Sequence, residues 1–245
     1  MATNFIGRLK DSCKKISNRW KRRSLFKNSP VLQDRTKHHA SPSGRYVLTV
    51  ESLDMGKGHW QYTRGTIKTK SGKKIDVVNR NYSSFPFAFV ENHPDGHDYL
   101  ICGENYQGQT IIQLDTKNRV DFVPDAAAKG HGFCWAAIHP SPDGRTLAVE
   151  GCYWASPYEI IFVDFSDPFL APLPELHRDH DNEEFIAWTS PTAARIGRRE
   201  EISLKHGKPE YELTREELDE LSALPDDEYV KAWKDVLLES TWIRT

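Results

Sequence analysis

Two pairs of side chains stand at spacings that could hold a metal: His177 and His180, three apart in HRDHD, and His131 and Cys134, three apart in HGFC. Imidazole nitrogen and thiolate sulfur are the usual zinc donors, but a structural zinc takes four of them, normally as two cysteine-rich pairs. On a strand, residues three apart also point to opposite faces, which would separate His131 from Cys134. The first pair therefore reads as a solvated polar loop and the second as core packing, and neither a metal nor a cofactor is expected. Acid–base chemistry would need a carboxylate with a raised pKa, and Glu104 or Glu150 with Asp164 would be the candidates if their strands line a channel. The chain has no Gly-x-Ser-x-Gly elbow, no Walker loop and no dinucleotide glycine fingerprint, so nucleophilic hydrolysis and phosphate-cofactor chemistry have no motif behind them. An enzyme with its site in a central channel or rim pocket stays an alternative reading.

Recognition chemistry has more to work with. Large aromatics with polar tips recur in short polar segments: Trp60 in GKGHWQY, Tyr106 in ENYQGQ, and Tyr153, Trp154 and Tyr158 in CYWASPY, with His131 in a fourth such segment. Aromatics displayed on loops of a rigid scaffold are the residues that binding surfaces use most, so a protein partner is the first expectation. The same rings could instead fold over the edge of a small core and seal it. A second kind of partner is suggested by the N-terminus, where Phe5, Leu9, Cys13, Ile16 and Trp20 recur at intervals of three or four. That spacing puts one apolar stripe on a helix. Lys14, Lys15, Trp20, Lys21, Arg22 and Arg23 then make a basic amphipathic surface suited to an anionic membrane, an acidic groove or nucleic-acid phosphates. The competing reading is a helix packed on its own domain, or a flexible basic tail.

The elements that would position these residues follow from a repeat. FPFAFVENHPDGHDYLICGENYQGQTIIQLDT, residues 85–116, and FCWAAIHPSPDGRTLAVEGCYWASPYEIIFVDF, residues 133–165, share one order: apolar segment, Pro-Asp-Gly turn, apolar segment ending in Cys, aromatic polar loop, then Ile-Ile and an Asp. A weaker copy starts at Ser41 and an eroded one at Glu183, so the turn recurs at Gly44, Gly96, Gly144 and Ala193. Self-similarity at a fixed period of this size marks a repeat array. Phe133 to Ile138, Thr146 to Cys152 and Glu159 to Asp164 are rich in aromatic and β-branched residues, and Asp-Gly between such runs is a hairpin signal. Each unit is thus predicted to be an antiparallel meander of about four strands. The turn SPDGRTLA at Ser141 to Ala148 resembles the blades of WD40 and TolB-type β-propellers, over roughly residues 40 to 205. The resemblance implies a mainly β, propeller-like array of about four units, as a small or incomplete ring. It carries no specific function, and no unit has the Trp-Asp dipeptide typical of WD40 blades. An antiparallel sandwich would also give short strands with regular turns; the repeat period favours the blade reading.

The ends complete the layout. Residues 1–38 carry eleven Lys or Arg against Asp11 and Asp34, a local charge of +9, whereas residues 210–245 carry eleven Asp or Glu against four basic residues, a local charge of −7. Thr214-Arg-Glu-Glu217 is a capping box and should start a helix. Pro225 should open a second, with Tyr229, Trp233, Val236 and Leu237 as its apolar stripe. Three segments are expected: a basic helix and linker over 1–38, the β-repeat domain over 39–208, and acidic helices over 209–245 packed on it. The net charge of −2 makes no global case for nucleic acid, and the oligomeric state is not readable. No apolar run is long enough for a membrane span, and no secretory signal is evident. A cytoplasmic location is expected, with the four cysteines as buried thiols.

Overall fold

The computed structural model describes residues 26–153, 158–180, 184–203, 205–224 and 231–242. The basic segment at Lys14, Lys15, Trp20, Lys21, Arg22 and Arg23, and also Trp154, lie outside the described residues. The chain is mainly β, with four antiparallel sheets. The first holds β1 (Val31–Ala40), β2 (Tyr46–Leu53), β3 (Tyr62–Thr69) and β4 (Lys74–Arg80); the second holds β5 (Ala88–Val90), β6 (Tyr99–Cys102), β7 (Gln109–Gln113) and β8 (Arg119–Phe122). The third holds β9 (Phe133–Pro140), β10 (Thr146–Tyr153), β11 (Glu159–Asp164) and β12 (Glu175–Asp179). These three are meanders whose strands neighbour one another in chain order. The fourth holds β13 (Glu184–Ser190), β14 (Ala193–Ser203) and β15 (Lys231–Thr241), and the connection from β14 to β15 carries helix α1 (Arg215–Ser222).

The described residues form two compact units, one running up to Glu91 and including Asp98–Val123, the other formed by Asn92–His97 and the chain from Pro124 onward. In the first unit, period-two alternation on β2 buries Tyr46, Leu48 and Val50, which join Ile67, Val78, Leu100 and Ile112 in one core, with Phe85, Phe87 and Phe89 against it. In the second, Ala148, Ile160 and Phe162 of the third sheet pack with Ala194 and Ile196 of β14 and with Trp242. Each fully buried Leu, Ile or Phe contributes about 1.5–3 kcal/mol relative to exposure. A meander of this size cannot bury both faces alone, and in each unit two sheets share a core.

The sequence repeat has a backbone counterpart. The turns joining first and second strands put Gly44, Gly96 and Gly144 at φ of 70°, 88° and 72°, a region only glycine enters without a Cβ clash. Their amides donate to Ser41, His93 and Ser141 carbonyls at 2.8, 2.8 and 2.9 Å. In all four sheets, the residue that follows the third strand donates its N–H back to the carbonyl just past that turn. The pairs are Lys70 to Arg45, Leu114 to Asp98, Phe165 to Arg145 and Trp242 to Thr192, at 2.7, 2.8, 2.8 and 3.1 Å. By this bond β15 is the third strand of the fourth sheet.

Two expectations are corrected. Val31–Ala40 was expected to be mostly linker and is instead a strand paired with β2, with an irregularity between Leu32 and Lys37. None of its residues is buried, so it is held by the backbone ladder and leaves no apolar alternation to read. At the other end, the capping box is present, with Glu217 N–H donating to Thr214 Oγ1 at 3.2 Å and Thr214 N–H to Glu217 Oε2 at 2.8 Å. The second helix is corrected over its described part: Lys231–Thr241 runs as a strand along the whole of β14, from Ala193↔Thr241 to Ser203↔Lys231, while Pro225 and Tyr229 lie outside the described residues. Its apolar residues fit a helical period, but a long unpaired strand offers a full ladder of hydrogen bonds, and tertiary pairing overrides local pattern. Among the described residues, no helix is long and apolar enough to cross a membrane.

Candidate functional site

In the first unit, three rings from three loops form one run. Trp60 comes from the loop between β2 and β3, Tyr82 from the segment between β4 and β5, and Tyr106 from the loop between β6 and β7. Trp60 and Tyr82 have ring centroids 5.5 Å apart with planes at 39°, and Tyr82 and Tyr106 stack at 5.4 Å and 17°, separations at which aromatic pairs attract. Trp60 ends the run 68% exposed. It does not seal the core, and both ring contacts of the run are made by Tyr82.

The run is held from beneath by Arg80, at the end of β4 and only 1% exposed. Its guanidinium donates to Ser84 O at 2.8 Å through Nε, and to Gly103 O at 2.9 Å and Asn105 O at 3.2 Å through Nη1. One buried cation thus ties the loop bearing Tyr106 to the segment bearing Tyr82. Asn81 closes the same junction: its N–H donates to Glu104 O at 3.2 Å, and its Oδ1 accepts from Tyr106 N–H at 2.9 Å. Gln107 donates through Nε2 to Tyr106 Oη at 3.1 Å, and Thr63 Oγ1 donates to Tyr82 O at 2.9 Å. Next to this, Arg119 pairs with Glu104 and Asp121, each at 2.7 Å, and with Asp76 at 3.2 Å. Burial works against the Arg119 charge, but those carboxylates outweigh it and hold the guanidinium above its ordinary range.

A second aromatic face lies in the second unit. Phe133 opens β9 opposite Tyr153 at the end of β10, and their rings meet edge to face at 5.1 Å. The Arg178 guanidinium of β12 sits 5.7 Å from the Phe133 ring and 5.5 Å from the Tyr153 ring, within cation–π range. It is fixed by an ion pair with Glu159 and by Glu175, whose Oε1 accepts from Nε at 2.9 Å. Hydrogen bonds to Glu175, then to Glu159, hold Arg178 above its ordinary range despite burial. Tyr153 is 37% and Tyr158 47% exposed. His131 is exposed and follows the short 3-10 turn Asp125–Lys129; no ring contact joins it to Phe133 or Tyr153. Phe133 and Arg178 were missed by sequence reasoning, since Phe133 reads as core and Arg178 as part of a charged loop.

The histidines and carboxylates do not converge. His177 Nε2 lies 3.4 Å from Asp179 and His180 Nδ1 3.3 Å from Glu159. Among the described residues, no group of three or more His, Cys, Asp or Glu side chains is gathered as a metal site would require. Glu104 is committed to Arg119, Glu150 to His139 Nε2 at 2.5 Å, and Asp164 to the Ser166 amide at 2.8 Å. Glu150 pairs with Ile160, four residues along β11 from Asp164, which at about 3.3 Å per residue separates the two by about 13 Å. A cavity of about 350 Å³ opens on the β2–β4 face that carries Glu51, Arg64 and Asn79, with Phe26, Lys27 and Lys74 among its lining. There Glu51 is engaged by Arg64 at 2.8 Å.

At the tight-turn end of the first unit lies a buried polar cluster. Tyr46 Oη donates to Asp98 Oδ2 at 2.7 Å, Arg45 reaches Asp98 at 2.9 Å, and Glu91 accepts from Ser41 Oγ at 3.0 Å and Ser43 N–H at 2.7 Å. Burial, and then the Asp98 carboxylate, push the Tyr46 hydroxyl up to about 12. This cluster joins turn to turn and presents no ring to solvent.

No family model matches the chain. Over 206 residues it is 34% identical to an uncharacterized protein of Acanthamoeba polyphaga mimivirus, a match covering 80% of this chain and 79% of the viral one. The chain belongs to the same family as that mimivirus protein.

Proposed function

We propose that this protein is a non-catalytic binding module that engages a protein partner through the loops joining second and third strands. In this reading the four sheets are blades of a small propeller-like array, a finer arrangement suggested by the fourfold backbone bond and the shared turn. One observation carries the functional part. The run Trp60–Tyr82–Tyr106 ends in a tryptophan 68% exposed, packed on rings whose own segments are tied together by the buried Arg80. Ordering an aromatic before contact removes much of the entropy that binding would otherwise lose. The Phe133–Tyr153–Arg178 cluster is a second face of similar make. Glu104, Glu150 and Asp164 are each held by neighbours close in their own fold, the pattern of structural carboxylates.

The test is a pull-down with mass spectrometry comparing wild type, Trp60→Ala, and Trp60→Ala combined with Tyr106→Ala, all checked by urea unfolding. Because Trp60 is exposed, its removal should change stability by less than about 0.5 kcal/mol. A central aromatic anchor contributes about 2 kcal/mol or more to binding, so a partner should be captured roughly 30-fold less well. A folded Trp60→Ala protein that captures every wild-type partner undiminished would refute the reading.

A further inference from the structure

Cys134 on β9 and Cys152 on β10 stand directly opposite each other in the antiparallel pair. Both are thiols and both are partly exposed. Opposite residues of such a pair project to the same side, with Cα atoms about 4.5 or 5.5 Å apart. Disulfides span Cα separations of roughly 4.4–6.8 Å, so the backbone spacing of this pair is one that a disulfide can bridge. Their Cβ atoms, about 4.5–5.5 Å apart in a generic pair, need to close slightly. The strand pair can give there, because its register shifts between Glu150 and Gly151, one residue away, and the strands end with the next pair, Tyr153↔Phe133. Cys102 contrasts with both: it is 2% exposed and burial pushes its thiol up to about 12, which leaves it neutral and unreactive.

We propose that Cys134 and Cys152 form a redox-modification site, closed by hydrogen peroxide into a cross-strand disulfide and reopened by a dithiol. In the first step one thiolate attacks the peroxide; an S–O bond forms, the O–O bond breaks, and the departing hydroxide is protonated to water. In the second, the other sulfur attacks the resulting sulfenic acid; the S–S bond forms, the S–O bond breaks, and a second water leaves. Two thiols lose two hydrogens in all, and one peroxide becomes two waters. Reduction runs by thiol–disulfide exchange, the dithiol supplying two electrons and two protons. Disulfides that are stretched or exposed are the readily reduced ones, which suits a reversible modification. The bond would staple the strand ends that carry Phe133 and Tyr153; that it would thereby tune partner capture rests on the binding reading above.

The test uses the full, reduced chain treated with stoichiometric hydrogen peroxide, then alkylated and digested with trypsin without reduction. Arg145 lies between the two cysteines, so the bond would link peptide 130–145 to peptide 146–178, about 2 Da lighter than the sum of the two. Two of the four thiols should escape alkylation, and a dithiol should restore both. Cys134→Ser and Cys152→Ser should each abolish the linked peptide, and Cys102→Ser should leave it. Both cysteines remaining alkylatable, or either one linked to Cys13 instead, would overturn the proposal. The wild-type peptide map decides the matter even if a serine variant misfolds. No partner is needed for it, so failure of the binding reading would leave this result standing, and the reverse holds too.

Discussion

Replacing Arg80 with leucine should loosen the aromatic run and destabilise the first unit together. The side chain is 1% exposed and supplies hydrogen bonds of 2.8, 2.9 and 3.2 Å to three carbonyls on two loops. Each bond to a charged group is worth about 1.5–3 kcal/mol net, but the full sum is an upper limit. The 3.2 Å bond is the longest, Ser84 lies in an exposed stretch where water can replace the lost donor, and removing a buried charge recovers desolvation energy. Asn105 O keeps the Gly108 N–H at 3.0 Å, so the Gly103 carbonyl is the buried acceptor that loses its donor; that costs about 1–3 kcal/mol, the expected loss, measured by urea unfolding. Hydrogen exchange locates it: the amides of Asn81 and Tyr106, bonded to Glu104 O and Asn81 Oδ1, should lose protection before those of β2 and β3. Arg80→Lys should recover only part, because an ammonium lacks the planar fork that spans the carbonyls. A loss below about 1 kcal/mol with unchanged exchange at Asn81 and Tyr106 would show that Arg80 does not position the loops.

Tyr46, whose hydroxyl is pushed up to about 12, should make stability fall at alkaline pH. Its ordinary value is about 10, so the contribution is intact below about pH 10 and is lost as pH rises to about 12, on the order of 2–3 kcal/mol; Tyr46→Phe should flatten that stretch of a stability–pH curve. Gly151→Ala should cost about 1–3 kcal/mol, since a Cβ there would meet the Cys134 carbonyl oxygen at 2.2 Å; a neutral urea midpoint would mean the strand end yields freely. Thr214→Ala removes the cap of α1 and should cost about 1 kcal/mol, seen as faster amide exchange confined to residues 215–222.

The chain's physics explains what could be read in advance. Repeat period, with a Pro-Ser-Gly turn at Gly44 and Pro-Asp-Gly turns at Gly96 and Gly144, located the three meanders, because buried alternation and positive-φ glycines both leave marks on residue type. β1 left none, being held by backbone bonds with no buried side chain. β15 left a misleading mark, since an apolar period fits helix or strand until a partner strand is present. For the site, loop aromatics were identifiable as a class, and Trp60, Tyr106 and Tyr153 do reach solvent or a ring contact. What was hidden was their support. Arg80 reads as one more charge at a strand end, and nothing in KIDVVNR tells that its guanidinium turns inward to meet carbonyls supplied by residues 84, 103 and 105.

The backbone bond shared by the four sheets also places α1. Because Trp242 answers to Lys70, Leu114 and Phe165, the connection from β14 to β15 is topologically the loop between second and third strands, the position occupied by residues 54–61, 103–108 and 154–158 elsewhere. The first-to-second turns share one glycine geometry in the first three sheets, whereas this connection carries an exposed tryptophan in the first sheet, a stacked tyrosine in the second and a capped acidic helix in the fourth. On the binding role proposed above, the connections that differ from sheet to sheet are where recognition residues would sit. The acidic residues of α1, Glu216, Glu217, Asp219 and Glu220, therefore belong to the same class of loop as the aromatics. Lys208 and Lys205 hold Glu217 and Glu220 at 3.0 and 2.8 Å, which fixes this helix to the segment that precedes it, as Arg80 ties the segments of Tyr82 and Tyr106 to each other.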